Sequence, residues 1–176
     1  PADLDESPHK SEHPRSLARR LSREKAEKSW SHLRDQEDAG ECYVLAADTV
    51  VAVGRQIMPK AEMLDEASQC LRMLSGRNHK VYTGLCLITP KGKVRQKLCE
   101  TRVRFKRITS EEMESYLASG EWRGKAGGYA IQGLAGTFVV RLVGSYSNVV
   151  GLPLYETVSL LTGEGFKVHF NWLQGV

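Results

Sequence analysis

Apolar positions along the chain recur with two periods. Over residues 14 to about 33, Leu17, Leu21 and Trp30 mark an approximate face among Arg, Lys and Glu, and Pro14 suits a first helical turn, so the stretch predicts a helix. The polar run Arg34-Asp-Gln-Glu-Asp-Ala-Gly-Glu41 reads as a loop. Residues 42–53 are almost continuously apolar and rich in Val, the pattern of a strand buried on both faces. Residues 65–74 predict a helix with Ala67, Leu71 and Leu74 on one side, closed by Gly76. Two strands, about 80–89 and 93–107, flank Pro90-Lys91-Gly92, a hairpin turn. The apolar phase shifts between Leu98 and Val103, which predicts a bulge or break there.

Thr109-Ser-Glu-Glu112 is a capping box opening a helix with Met113, Tyr116 and Leu117 inward and Gly120 at its end. A Gly-rich segment, 124–133, precedes a strand at 137–143. Pro153 opens a last helix with Leu154, Val158 and Leu161 inward, and a short apolar tail, 168–173, follows. Strands and helices mix without a strict βαβ repeat, which predicts an α/β fold with a mixed, twisted sheet and flanking helices.

Length and composition narrow the class. The chain has 176 residues, 41% apolar and 26% charged, which suits one soluble globular domain. No apolar run approaches the roughly 20 residues of a membrane-spanning helix. Cys42, Cys70, Cys86 and Cys99 show neither metal-ligand spacing nor a disulfide framework, and fit a reducing, cytoplasmic setting. The opening Pro1-Ala2-Asp3-Leu4-Asp5-Glu6 has no initiator Met and does not read as a secretory signal. Net charge is +4, concentrated at 91–107, where basic side chains on every second residue predict one solvated sheet face. No aromatic residues share that face to stack bases, so a nucleic-acid partner is disfavoured against a solvated face.

Asp48 carries the most information. It interrupts an apolar strand, where a carboxylate costs several kcal/mol unless a metal, a cation or water satisfies it. It either ends the strand and caps backbone groups or serves chemistry. Val50 to Val53 continue the strand past it, which favours chemistry: holding a divalent cation or taking a proton from water. Lys60, after Pro59, suits either phosphates or a solvated surface, and spacing alone favours the surface. Asp3, Asp5 and Glu6 form an acidic cluster that could help bind a metal or simply be a disordered acidic start, and Lys25 reads as a solvated helix charge. In the Gly-rich segment Lys125 and Gln132 could meet a ligand, Gln132 offering donor and acceptor to a base edge, or the segment is only a tight turn. Walker, dinucleotide and G-x-S-x-G patterns are absent, and most of the five His residues read as solvated.

Taken together, Leu45-Ala-Ala-Asp-Thr-Val-Val51, Lys125-Ala-Gly-Gly-Tyr-Ala-Ile-Gln-Gly133 and Gly144-Ser-Tyr-Ser-Asn-Val-Val-Gly-Leu-Pro-Leu154 resemble the Maf family of nucleoside triphosphate pyrophosphatases, the septum-formation-inhibitor proteins. Asp5-Glu6, Arg23-Glu-Lys-Ala26, Pro59-Lys60 and Leu74-Ser-Gly76 add weaker support, and the middle stretches are similar to alpha-proteobacterial members. The resemblance implies the Maf/inosine-triphosphatase-like fold with a cleft between two lobes. It implies splitting of a nucleoside triphosphate between the α- and β-phosphates with Mg²⁺ or Mn²⁺. It places Asp48 as proton acceptor, Glu6 as acidic metal or water partner, Lys25 and Lys60 on the phosphates, and Thr49 and Gln132 at positions tied to substrate choice, with Lys125 a weaker substrate contact.

The Ala-Ile-Gln-Gly wording resembles the dTTP/UTP branch rather than the 7-methyl-GTP branch, modified pyrimidine nucleotides fitting as well. The expected role is house-cleaning of nucleotide pools in the cytoplasm, with a link to septum formation and division arrest. The partner is a nucleotide, not nucleic acid or membrane, and the oligomeric state, a homodimer included, stays open. The family opens with a strand followed by S-x-S-P-R-R, whose Ser and Arg groups grip phosphates. That motif would lie upstream of Pro1: either the sequence continues there by roughly 25–30 residues, the favoured expectation, or this single Maf-like domain over 1–176 lacks the first strand and half its phosphate cradle, which would abolish catalysis. The competing reading is a catalytically silent nucleotide-binding regulator of cell division.

Overall fold

A computed structural model describes residues 4–35 and 42–169. Helix α1 (Pro14–Arg34) starts with proline in its first turn and contains no Val, Ile or Thr, and Arg20–Glu24 and Arg23–Glu27 pair along it at 3.2 and 2.7 Å. Strands β1 (Val44–Val53), β2 (Gln56–Ile57) and β3 (Lys60–Ala61) lead into helix α2 (Leu64–Leu74). The hairpin β4 (Asn78–Ile88) and β5 (Val94–Phe105) follows, then α3 (Ser110–Ser119), β6 (Lys125–Ala126) and a 3₁₀ turn over Leu134–Phe138. Strand β7 (Val139–Val143), α4 (Tyr146–Val150) and α5 (Leu154–Gly163) complete the described elements. The capping box forms as predicted: Glu112 N donates to Thr109 Oγ1 at 3.2 Å and Thr109 N to Glu112 Oε2 at 2.9 Å.

Five strands form one sheet in the order β2-β1-β4-β5-β7, and β3 pairs with β6 in a small second sheet. The α/β class holds, but every described pairing is antiparallel, where a mixed sheet is expected from the sequence. The connection from β1 through β2, β3 and α2 returns the chain to the end of the sheet it left, so β4 runs back along β1. Even-numbered strand residues face α1: Val44, Cys86 and Ile88 meet Ala26, and Val50, Ala52 and Tyr82 meet Leu17, Ala18 and Leu21. Odd-numbered residues face the other way. Leu85 and Leu87 pack on Leu160 of α5, while Val51, Val81, Val103 and Phe105 pack with Leu71, Leu74, Tyr116, Tyr129 and Phe138. Among the described residues no helix is long and apolar enough to cross a membrane.

Several expectations need correction. The β4–β5 register runs unbroken from Asn78↔Arg104 to Ile88↔Val94, so there is no bulge between Leu98 and Val103. The phase shift arises because both faces of β5 are covered: Leu98 packs under α1, and Val103 and Phe105 enter the opposite core. The irregularity sits instead between Arg104 and Phe105, against β7. With the register unbroken, the basic side chains cannot share one face. Lys93 and Arg95 reach Glu164 at 3.1 and 2.5 Å on the α5 side, whereas Arg102 and Arg104 lie on the other. In α5, Thr157 and Leu160 are the buried positions and Leu154 is 59% exposed, because Pro153 itself turns inward. Of the apolar tail only Val168 and His169 lie within the described residues.

His79 is buried, not solvated. Its ring stands edge-on to Phe105 and Tyr129, and Nε2 lies 2.6 Å from the Tyr129 hydroxyl. Burial pushes its pKa from about 6.5 down to about 4. Between those values only the unfolded chain holds the proton, so stability falls as pH drops through that window, by up to about 3 kcal/mol. Urea unfolding of wild type and His79→Gln from pH 7.5 to 4 checks this: the variant's curve is flatter across that range.

Candidate active site

The site is built where α1, β1 and the β3–β6 pair converge. Asp48 lies mid-strand in β1 opposite Gly84 of β4, and its side chain turns toward α1. Gly84 is what lets the helix lie so close. A Cβ there would stand 2.2 Å from Ala18 O and 2.8 Å from Ser22 Oγ. One turn beyond Ser22, Lys25 Nζ hydrogen-bonds Asp48 Oδ1 and lies 2.7 Å from Glu6 Oε1. The other Glu6 oxygen accepts from Lys60 Nζ. Four charged groups thus alternate as Asp48, Lys25, Glu6, Lys60.

Glu6 belongs to the segment before α1, which Arg20 anchors. Arg20 Nη2 donates to Ser7 O at 3.0 Å, and its Nε and Nη2 bind the two Glu12 oxygens at 2.9 Å each. Sequence reasoning misses Arg20, whose only signal is one more basic residue on an already basic helix. Asp5 is exposed and accepts from Ser7 N at 2.9 Å, and Asp3 lies outside the described residues. Among the described residues no three of His, Cys, Asp and Glu converge on one point.

Burial dominates at Asp48, which is 6% exposed, and holds its carboxyl above the usual carboxylate range despite Lys25. At Glu6 burial also works upward, but hydrogen bonds from Lys25 and Lys60 together outweigh it and bring the pKa down. Burial likewise opposes charge on Lys25, yet its two carboxylate partners win and raise its pKa. The asymmetry is physical: Lys25 touches two anions, Asp48 one cation.

Two cavities adjoin here, of about 340 and 210 Å³, and both are bordered by Asp48, Thr49, Lys60 and Ala126. Glu6, Leu17 and Leu21 line the first; Lys125, Gln132, Val149 and Val150 help line the second. The Gly-rich segment is fastened at several points. Gly124 N donates to Ala61 O and Gly127 N to Pro59 O, at 2.9 and 3.0 Å, and Tyr116 Oη donates to Gly128 O at 2.9 Å. Gly127 has φ +70 and a Cβ there would come 3.0 Å from Val51, so only glycine lets this loop close over β1. Lys125 and Gln132 are exposed on the rim, within reach of the cavity but without a fixed partner shown for either. Every site residue that the sequence singled out, apart from Asp3 and Asp5, therefore borders one of the two cavities or, for Lys25, bridges two residues that do.

The buried thiols contribute no nucleophile: burial pushes Cys70, Cys86 and Cys99 up to about 11, and all four cysteines are free.

The family model described as Maf-like protein matches residues 1–164. The chain belongs to the Maf family. Similar curated Maf relatives are named dTTP/UTP pyrophosphatase. One from Mesorhizobium japonicum is 69% identical over 173 residues, covering 98% of this chain and 83% of the relative. Another from Chelativorans sp. is 70% identical over 175 residues, 99% and 84% of the two chains, and one from Rhodopseudomonas palustris is 66% identical over 173 residues, 98% and 84%. Membership bears out the Maf fold expected from the motifs, with the antiparallel pairing described above.

Proposed function

We propose that this chain is a nucleoside triphosphate pyrophosphatase acting on dTTP and UTP, releasing the monophosphate and pyrophosphate. The observation that carries the reading is the alternating row Asp48, Lys25, Glu6, Lys60 at the junction of two cavities, one of them bordered by Thr49 and Gln132. The names of relatives sharing about two thirds of its residues give the substrate pair.

In this reading the phosphates lie at the charged junction and the base in the smaller cavity. Asp48, made more basic by burial, takes a proton from the water that attacks the α-phosphorus. The bond to the bridging oxygen breaks, and Lys25 and Lys60 neutralise the pyrophosphate that departs. Asp48 and Glu6 also fit a divalent cation, Mg²⁺ or Mn²⁺. They are two carboxylates already converging on one cation, Lys25, and magnesium sites typically use one or two carboxylates plus substrate phosphates. What such an ion supplies when bound is polarisation of the phosphoryl oxygens. Thr49 and Gln132 present hydrogen-bonding groups to a pyrimidine edge, with Lys125 on the rim for the remaining charge. A role in clearing pyrimidine nucleotides, modified ones included, follows from that chemistry.

The test is pyrophosphate release from dTTP and UTP with Mg²⁺ or Mn²⁺ by the purified protein. Release well above an Asp48→Asn control is expected; release no greater than the control overturns the proposal.

A further inference from the structure

Behind Thr49 lies a chain of buried hydroxyls and amides that the reaction itself does not use. Thr49 and Thr83 are direct partners across β1 and β4, with hydroxyl oxygens 2.9 Å apart. Each hydroxyl has one proton to donate and two lone pairs to accept with. Thr83 is fully buried, and its proton goes to the main-chain oxygen of Asn148 at 3.1 Å. Having spent that proton, Thr83 Oγ1 can only accept from Thr49. The Thr49 proton therefore points into the sheet, and what remains for the cavity is its lone-pair side.

The far end of the chain is fixed as firmly. Asn148 is fully buried, its Nδ2 donates to Val81 O at 3.2 Å and Thr101 Oγ1 at 2.9 Å, and its N donates to Ser145 Oγ at 3.1 Å. Thr101 Oγ1 in turn donates to Ser145 O and accepts from Ser145 N. Helix α4, whose Val149 and Val150 line the base cavity, is thus pinned to β4 and β5 by the same residue that takes the Thr83 proton.

We infer that Thr83, oriented by Asn148, is a positioning residue that makes Thr49 an acceptor only, so that the cavity takes a base with an N–H on its pairing edge and rejects one with a lone pair there. Uracil and thymine carry that N–H at N3; cytosine has a bare nitrogen, which would face the Thr49 lone pairs. The inference rests on the pyrophosphatase reading of the site, and it adds the residues that set the base preference from behind.

The experiment compares UTP and CTP with wild type, Thr83→Val, Thr83→Ala and Thr83→Ser, reading kcat and KM separately for each nucleotide. Wild type favours UTP. In Thr83→Val the Thr49 proton is free to turn toward cytosine N3, and the UTP/CTP ratio of kcat/KM narrows by roughly tenfold, the worth of one hydrogen bond. The change falls on KM, and Thr83→Ser restores the wild-type ratio. An unchanged ratio, or an equal loss for both nucleotides through kcat, overturns the inference. Should Thr83→Val not fold, Thr83→Ala poses the same question without an added group. Calorimetric binding of UTP and CTP reads the same ratio without turnover: if wild type binds but releases no pyrophosphate, the pyrophosphatase reading fails while the wiring is still judged by the binding ratio.

Discussion

Asp48→Asn is expected to lower kcat for UTP by on the order of a thousandfold while leaving the fold intact. The amide keeps the shape and can still meet Lys25, but it takes no proton from water, and general-base catalysis is typically worth 10²–10⁴ in rate. Stability should hold or rise slightly, because the substitution removes a buried charge whose pairing with Lys25 does not offset its burial. Lys25 is not orphaned, since Glu6 remains 2.7 Å away. Steady-state kinetics and thermal melting of the same preparation check both halves. A variant within tenfold of wild type would show that some other group receives the proton.

Gly84→Ala is expected to damage both stability and activity although Gly84 touches no substrate. The new methyl would sit 2.2 Å from Ala18 O and 2.6 Å from Ala18 C, and these are helix backbone, not a side chain that can swing aside. Overpacking of this kind costs about 1–3 kcal/mol, which for a chain of this size is roughly 2–12 °C in melting temperature. Relief requires α1 to lift from the sheet. The lift carries Lys25 away from Asp48, and a displacement near 1 Å at such a site costs on the order of a hundredfold in rate. Gly163→Ala serves as the control, because a Cβ there meets nothing within 4 Å. Unaltered kinetics in Gly84→Ala would mean that the helix position does not set the Asp48–Lys25 geometry.

The reasons Asp48 was legible and its neighbours were not are instructive. A carboxylate inside Leu45-Ala-Ala-Asp-Thr-Val-Val51 violates the pattern around it, so burial cost alone singles it out. Lys25, Glu6 and Lys60 break no local rule. Each is a charge in a polar stretch, and only the crossing of α1 over β1 and the return of β3 bring them together, so residue by residue Lys25 reads as solvated, Lys60 as more a surface than a phosphate residue, and Glu6 as equally a metal partner or a disordered start. Thr83 and Gly84 sit in β4 as Asp48 sits in β1, but a hydroxyl and a missing side chain disturb an apolar run far less than a charge does. The wrong face assigned to the basic residues of β5 has a similar cause. Period-2 patterning reveals which residues alternate, but not that cover passes from α1 on one face to the aromatic core on the other partway along the strand. Helix α4 spans only Tyr146–Val150, too few residues for any helical period to show, and the sequence pattern does not predict it; the one local sign is a serine at its cap, Ser145, which accepts from Asn148 N at 3.1 Å.

The most direct test of the central claim is phosphorus NMR of UTP incubated with the protein and Mg²⁺ in ¹⁸O-labelled water. Attack at the α-phosphorus predicts UMP and pyrophosphate as the only products, with one labelled oxygen in UMP and none in pyrophosphate. UDP with orthophosphate, label in the pyrophosphate, or UTP that binds and stabilises the protein without being consumed would contradict the account.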